Sequence, residues 1–475
     1  MNKYKLLALN TIIFTIGSFG SKIISLLLNN LYTKYISPAE LFTKSLLETL
    51  ALFLIPVFSF SITEAVVRYG LDRRYSKKEV FTTAITLNII GIMPIFFTVP
   101  FIRCIPYFRH IEGYTALLMI YIMTSSARAL CSQFVRARGM VKLFSLDGIL
   151  ATLTLLIFNI IFITRYGMGV RGFMISTILS DLCSALFLFF SAGLKKFYNG
   201  KYFNKKLSRS MLRFTIPLIP TTVMWTFTGF SDQIFIGNMK SDKLFLGEDA
   251  AGIYAAASKI PNLISMLSTI FFQSWNMSAI TENDSADRNI FYAKVYSAYE
   301  SILFIGSAGL LLFVKPISAI LINYSVFPEY RMAYIYTPLL IAAAVYTCFD
   351  LFLASIYTAT KHTKNAFFSI LIVCIMNIIL NLKLIPLIGI QGAALATFLS
   401  YLLCYWIRII DARYYVPFKF SASRNIFNTC ALLLMCAAVI FRPFGYIIWE
   451  IILFMLIFLK NYRPLVIMCR KLMKR

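Results

Sequence analysis

Fourteen apolar runs of roughly twenty residues follow one another along this chain, at 6–28, 41–62, 81–101, 115–134, 146–163, 172–193, 214–236, 251–275, 295–314, 333–357, 366–382, 386–407, 426–441 and 444–459. A helix needs about 20 apolar residues to cross the hydrocarbon of a bilayer, where the backbone must satisfy its own hydrogen bonds. The runs predict an all-α polytopic membrane protein with about 14 transmembrane helices. Composition agrees, with 59% hydrophobic and 14% charged residues and a mean hydropathy of +0.76. A soluble domain would carry about 25% charged residues. The last two runs are short and also fit a single re-entrant hairpin. The first follows Lys3 and Lys5 like a signal peptide, but it lacks a small-x-small cleavage site and reads as an uncleaved helix.

The net charge of +26 would suggest nucleic acid in a soluble protein. Here the bases sit between apolar runs, where they act as orientation signals and contact membrane lipid headgroups, so no nucleic-acid partner is expected. With the N-terminus inside, 31 of the 46 Lys and Arg fall in cytoplasmic segments and 11 in external ones. That asymmetry predicts cytoplasmic termini. The longest connection, around 194–213, carries seven bases from Lys195 to Arg213. No connection much exceeds twenty residues, so function must lie among the helices. Two histidines, His110 and His362, and nine cysteines without a CxxC pair predict no metal site, cofactor or disulfide framework.

An internal repeat sets the architecture. Gly169-Val-Arg-Gly172 with Thr177, Leu179 and Ser180 recurs as Gly389-Ile-Gln-Gly392 with Thr397, Leu399 and Ser400. Asn159 matches Asn381, Ala137 matches Ala359, and Lys142 matches Lys364. A six-helix unit enters the membrane twice in the same sense, giving two lobes with a functional cavity expected between them. The expected divisions are 1–205 for the first six-helix lobe, 206–413 for the second, and 414–475 for two further helices and a basic tail.

Further residues carry a family resemblance. They are Ser18-Phe-Gly-Ser-Lys22, Tyr35-Ile-Ser-Pro-Ala-Glu40, Glu64-Ala-Val-Val-Arg68, Val135-Arg-Ala-Arg-Gly139 and Ile216-Pro-Leu-Ile-Pro220. Gly252-Ile-Tyr254 to Lys259-Ile-Pro261 and Phe271-Phe-Gln-Ser-Trp275 complete the series. In this order they resemble the polysaccharide (O-antigen and teichoic acid type) flippases of the multidrug/oligosaccharidyl-lipid/polysaccharide exporter (MOP) superfamily. The chain departs from that pattern at Leu41, usually glycine, and at Gln233, where an arginine usually follows the aspartate. The resemblance implies a non-enzymatic flippase that moves an undecaprenyl-diphosphate-linked oligosaccharide from the inner to the outer leaflet of the cell inner membrane. Its implied partners are the anionic lipid-linked oligosaccharide, a polysaccharide polymerase and glycosyltransferases. A cation or drug antiporter of the same superfamily is the alternative, and a membrane polysaccharide polymerase or ligase a more distant one.

Ionisable residues inside spans are the candidate site residues, because each costs at least about 2.5–3.5 kcal/mol at mid-membrane. Four are basic: Lys22, Lys44, Arg128 and Lys259. Thr11, Thr15, Ser18, Lys22, Ser25 and Asn29 share one helical face, as do Tyr121, Ser125, Arg128 and Ser132, and Ser258, Asn262, Ser265 and Thr269. These faces predict a cationic, substrate-binding cavity. Glu48, one turn from Lys44, is a ready partner for it. Asp181, Asp232, Glu300 and Asp350 are candidate counter-charges or ion-coupling residues. Pro217, Pro220 and Pro261 interrupt the seventh and eighth spans and predict bending points.

Overall fold

Polar residues at the ends of the apolar runs set where the helices begin. Ser37 accepts from the Glu40 amide while the Glu40 carboxylate accepts from the Ser37 amide, and Ser76 and Glu79 repeat this reciprocal cap. The computed structural model describes residues 24–25, 27–72, 74–102, 111–281, 285, 287–360 and 362–473. Those residues form helices and their connections, with no strand among them. Eleven of the helices are long and apolar enough to cross a membrane. The expected first span lies almost wholly outside the described residues.

The described residues divide into two compact units, one up to Phe230 and one from Ser231 onward. The first unit contains α1 (Pro38–Phe58), α2 (Ile62–Leu71), α3 (Lys77–Ile92), α4 (Ile95–Ile102), α5 (Thr115–Ala137), α6 (Val141–Asn159), α7 (Gly169–Ser191), α8 (Lys205–Thr215) and α9 (Ile219–Thr228). Within it α7 packs on both α5 and α6, and α2 packs on α5. Rings of Phe81 and Phe134 lie 4.4 Å apart, with Phe197 closing over Phe134 at 5.5 Å. Phe197 belongs to the basic 194–213 segment, which folds onto the unit. The Phe197 carbonyl accepts from Thr82, and α8 buries Leu207 and Met211 while exposing Lys205, Lys206, Arg209 and Arg213.

The second unit contains α10 (Ser231–Asn238), α11 (Glu248–Ala257), α12 (Asn262–Thr281), α13 (Arg288–Leu312), α14 (Val314–Leu321), α15 (Ala333–Thr360), α16 (Thr363–Ile388), α17 (Ile390–Tyr415), α18 (Ala422–Phe441) and α19 (Tyr446–Met473). Its centre is α15, which packs against α12, α17 and α18, while α19 packs on α13. The last two runs are full-length helices of 20 and 28 residues, which excludes the re-entrant hairpin. Hydropathy cut α19 short because Lys460, Asn461 and Arg463 end the apolar run without ending the helix.

The predicted breaks occur at the prolines. A 3-10 turn over Ile216–Leu218 separates α8 from α9, and Ser258–Pro261 separates α11 from α12. The repeated glycines also acquire a reason. Gly169 and Gly389 take φ of +50° and +65° at the starts of α7 and α17, a conformation open to glycine without strain. At Gly392 an added Cβ would lie 2.3 Å from the Leu384 carbonyl oxygen, so only glycine lets α17 approach α16 this closely.

Candidate functional site

In the first unit, α5 carries Arg128 between Ser125 and Ser132 on the face expected from the sequence. The Arg128 Nη1 donates to Asp181 Oδ1 at 3.0 Å and its Nε donates to Ser184 Oγ at 2.8 Å. Its Nη2 lies 3.8 Å from Asp147 Oδ2. Ser125 completes the Asp181 carboxylate and Ser184 that of Asp147. Both acids are buried, whereas 30% of the Arg128 side chain is exposed. Among the described residues the cluster thus holds one base against two acids, gathered from α5, α6 and α7. It borders a cavity of about 400 Å³ whose wall includes Ser25, Tyr121, Arg128, Gln133 and Asp181. The Gln133 side-chain oxygen there is buried without a hydrogen-bond partner among the described residues.

Lys44 is buried and pairs with Glu48 at 2.8 Å, its ammonium sitting 4.5 Å from the Tyr32 ring centre and 4.4 Å from that of Phe173. Burial against two ring faces strengthens such a contact over its value in water. Lys259 is half-buried in the break between α11 and α12. Lys22 lies outside the described residues.

The acids of the second unit sit in different surroundings. Asp232, at the start of α10, is buried and accepts from Asn381 at 2.7 Å and from Tyr254 and Thr397 at 2.5 Å each. Asn377 bridges this set, accepting from Asn381 and from Ser231. No base lies within ion-pair distance of Asp232 among the described residues, in keeping with Gln233 standing where the family pattern has arginine. Glu300 instead pairs with Arg424 of α18 and accepts from Asn425. Asp350 is buried, and apart from the weak Cys404 thiol neither carboxylate oxygen has a hydrogen-bond donor among the described residues. Its carbonyl accepts from Arg408, which is 4% exposed and also donates to Ser369.

The structure therefore brings Arg128 and Asp181 together, and Lys44 with Glu48, but holds Asp232, Glu300 and Asp350 in separate clusters. Sequence reading missed three charged members. Asp147 sits one residue inside its apolar run and reads as a span end. Arg408 and Arg424 lie just beyond the edges of theirs. Extending each helix by one turn past its apolar run would have found both arginines.

No curated protein sequence matches the chain. The family model described as "Polysaccharide biosynthesis protein" matches residues 7–275. The chain belongs to that family. Among solved structures, the fold is similar to "Lipid II flippase MurJ, inward closed conformation", with a TM-score of 0.71 at 18% identity over 96% of this chain and 100% of that one. It is also similar to an inward-facing multidrug resistance MATE family transporter of the MOP superfamily, at 0.66 and 15% over 87% and 99%. A MOP superfamily transporter from Pyrococcus furiosus follows the same path, at 0.58 and 15% over 87% and 97%. The fold is that of the MOP superfamily.

Proposed function

We propose that this chain is a flippase that carries an undecaprenyl-diphosphate-linked oligosaccharide from the inner to the outer leaflet of the cell inner membrane, for assembly of a surface polysaccharide. The family match over 7–275 carries this reading. The polar cavity beside Arg128, walled by membrane-spanning helices, supports it. Sugar and diphosphate would cross in such hydrated space while the lipid tail stays in hydrocarbon. An inside-negative potential favours outward movement of an anion by about 2.3 kcal/mol per charge per 100 mV. In this reading both termini are cytoplasmic, and a polymerase and glycosyltransferases are the partners. Lys22, Arg128, Lys259 and Lys44 contact the headgroup, while Asp232, Asp350, Glu300 and Asp181 serve as ion-coupling or counter-charge residues.

The test is export of the polymer, at equal membrane abundance, by Lys22→Arg, Lys22→Ala and Lys22→Glu. Arginine keeps the charge and can grip phosphate with two donors, alanine removes the charge, and glutamate repels the diphosphate. Export should fall in that order, and wild-type export by an abundant Lys22→Glu protein would refute a role for this cation. Purified protein in liposomes should flip a fluorescent lipid-diphosphate oligosaccharide, and its failure to do so would refute the flippase reading. A cation or drug antiporter is the second reading, favoured by two acids facing one base at Arg128. Uptake of an organic cation against a pH gradient by the same liposomes would select it.

A further inference from the structure

A second cavity in the first unit has a different character. It measures about 950 Å³ and is bordered by Lys78 at the start of α3, Arg138 after α5, and Phe190, Gly193, Lys196 and Phe197 at and beyond the end of α7. Three bases border it, the Lys78 ammonium lying 5.2 Å from the Tyr202 ring centre, and no acid is among its described lining residues. Arg138 is fixed in place, donating to the Ala192 carbonyl at 2.7 Å and lying 4.4 Å from the Phe197 ring centre. One N–H is thereby used, and no carboxylate lies within ion-pair distance of the guanidinium among the described residues. Burial pushes the Arg138 guanidinium down, with no carboxylate opposing it. Glu79, next to Lys78, is occupied by Ser76 and Asn204. On the same rim Phe190 is 75% exposed, an apolar surface that suits acyl chains.

From this geometry we infer that the Lys78–Arg138–Lys196 cavity binds the phosphate headgroup of an anionic membrane phospholipid. A phosphodiester would take two donors from Arg138 and meet the two ammonium groups, while its chains run along Phe190. In the proposed topology, on which this assignment rests, this end of the unit lies at the cytoplasmic leaflet, where anionic lipids are available. The three bases come from the ends of three spans, so a bound headgroup ties those ends together. This site does not depend on what the protein transports.

The experiment is native mass spectrometry of the full chain with phosphatidylglycerol, phosphatidylcholine, inorganic phosphate or a polyprenyl diphosphate as probes. Phosphatidylglycerol should bind at least tenfold more tightly than phosphatidylcholine, and that preference should be lost in Lys78→Gln/Lys196→Gln. Arg138→Lys, which keeps the charge but loses the fork, should bind with intermediate strength. The double variant Lys205→Gln/Arg209→Gln removes the same charge outside the cavity and should bind like wild type. Equal loss in that control would overturn the site in favour of diffuse attraction, as would unchanged binding by Lys78→Gln/Lys196→Gln. Stronger displacement by inorganic phosphate or polyprenyl diphosphate than by phosphatidylglycerol would overturn the assignment to a phospholipid.

Discussion

Replacing Arg128 with glutamine should be far more damaging than replacing one of the acids it holds. The substitution leaves Asp147 and Asp181 facing each other in a site where both are buried and, among the described residues, only serines remain as donors. Removing one partner of a buried ion pair costs about 3–5 kcal/mol, because the other charge is left without compensation. The lower half of that range applies here, since 30% of the Arg128 side chain is exposed and water screens part of the interaction. Asp181→Asn should cost less: Arg128 keeps Asp147 at 3.8 Å, and the asparagine oxygen still accepts from Ser125. The double variant Arg128→Gln/Asp181→Asn removes one charge of each sign. It should be no less stable than Arg128→Gln alone, so the coupling energy is at least the cost of Asp181→Asn itself, within the range of about 0.5–3 kcal/mol for residues in contact. Reversible SDS unfolding of the purified protein in mixed micelles measures all three differences. Additivity of the two substitutions within about 0.5 kcal/mol would show that the pair is not coupled and would refute the cluster as an electrostatic unit.

Three other expectations are independent of that cluster. Gly392→Ala drives a methyl to 2.3 Å from the Leu384 carbonyl oxygen, an overpacking that should cost about 1–3 kcal/mol, whereas Gly148→Ala meets nothing within 4 Å and should melt like wild type; equal melting temperatures would refute the close α16–α17 approach. Asp232→Ala strands the donors of Tyr254, Thr397 and Asn381, at about 1–3 kcal/mol each, while Asp232→Asn keeps an acceptor and should be milder; equal loss of folded protein would contradict this. If Asp232 couples an ion, the Asn variant should also lose the dependence of transport on external sodium or pH. A cysteine in place of Lys206, in a background without native cysteines, should resist impermeant maleimide in intact cells, and strong labelling would overturn the cytoplasmic assignment of 194–213.

Eleven of the spans were legible because a bilayer imposes length and apolarity together. The breaks at Pro217, Pro220 and Pro261 were legible from proline, although Pro56, Pro338, Pro386 and Pro464 sit inside continuous helices. The Lys44–Glu48 pair was legible too, since a spacing of four residues is a local geometric fact. The partners of Arg128 were not. Asp181 stands 53 residues away and Asp147 19 residues away, and only the packing of α5, α6 and α7 brings them together. Arg408 escaped for a different reason. Hydropathy ends a span at its first charge, yet α17 continues to Tyr415 and buries that charge against α15 and α16.

The attachment of α18 and α19 has a bearing on biosynthesis. Glu300 on α13 is completed by Arg424 and Asn425, Tyr346 on α15 contacts Thr429, and Asn428 and Asn461 exchange hydrogen bonds at 3.1 and 2.8 Å. All of these groups on α13 and α15 enter the bilayer while residues 422–473 are still being synthesised. During that interval the Glu300 carboxylate lacks its cation, and the half-built unit displays a charge that membrane quality control can recognise. Maturation of this half of the molecule is therefore expected to depend on its last two helices. A chain ending before Ala422 should be degraded unless Glu300→Gln is also introduced, and pulse-chase lifetimes of the two truncated chains would show it.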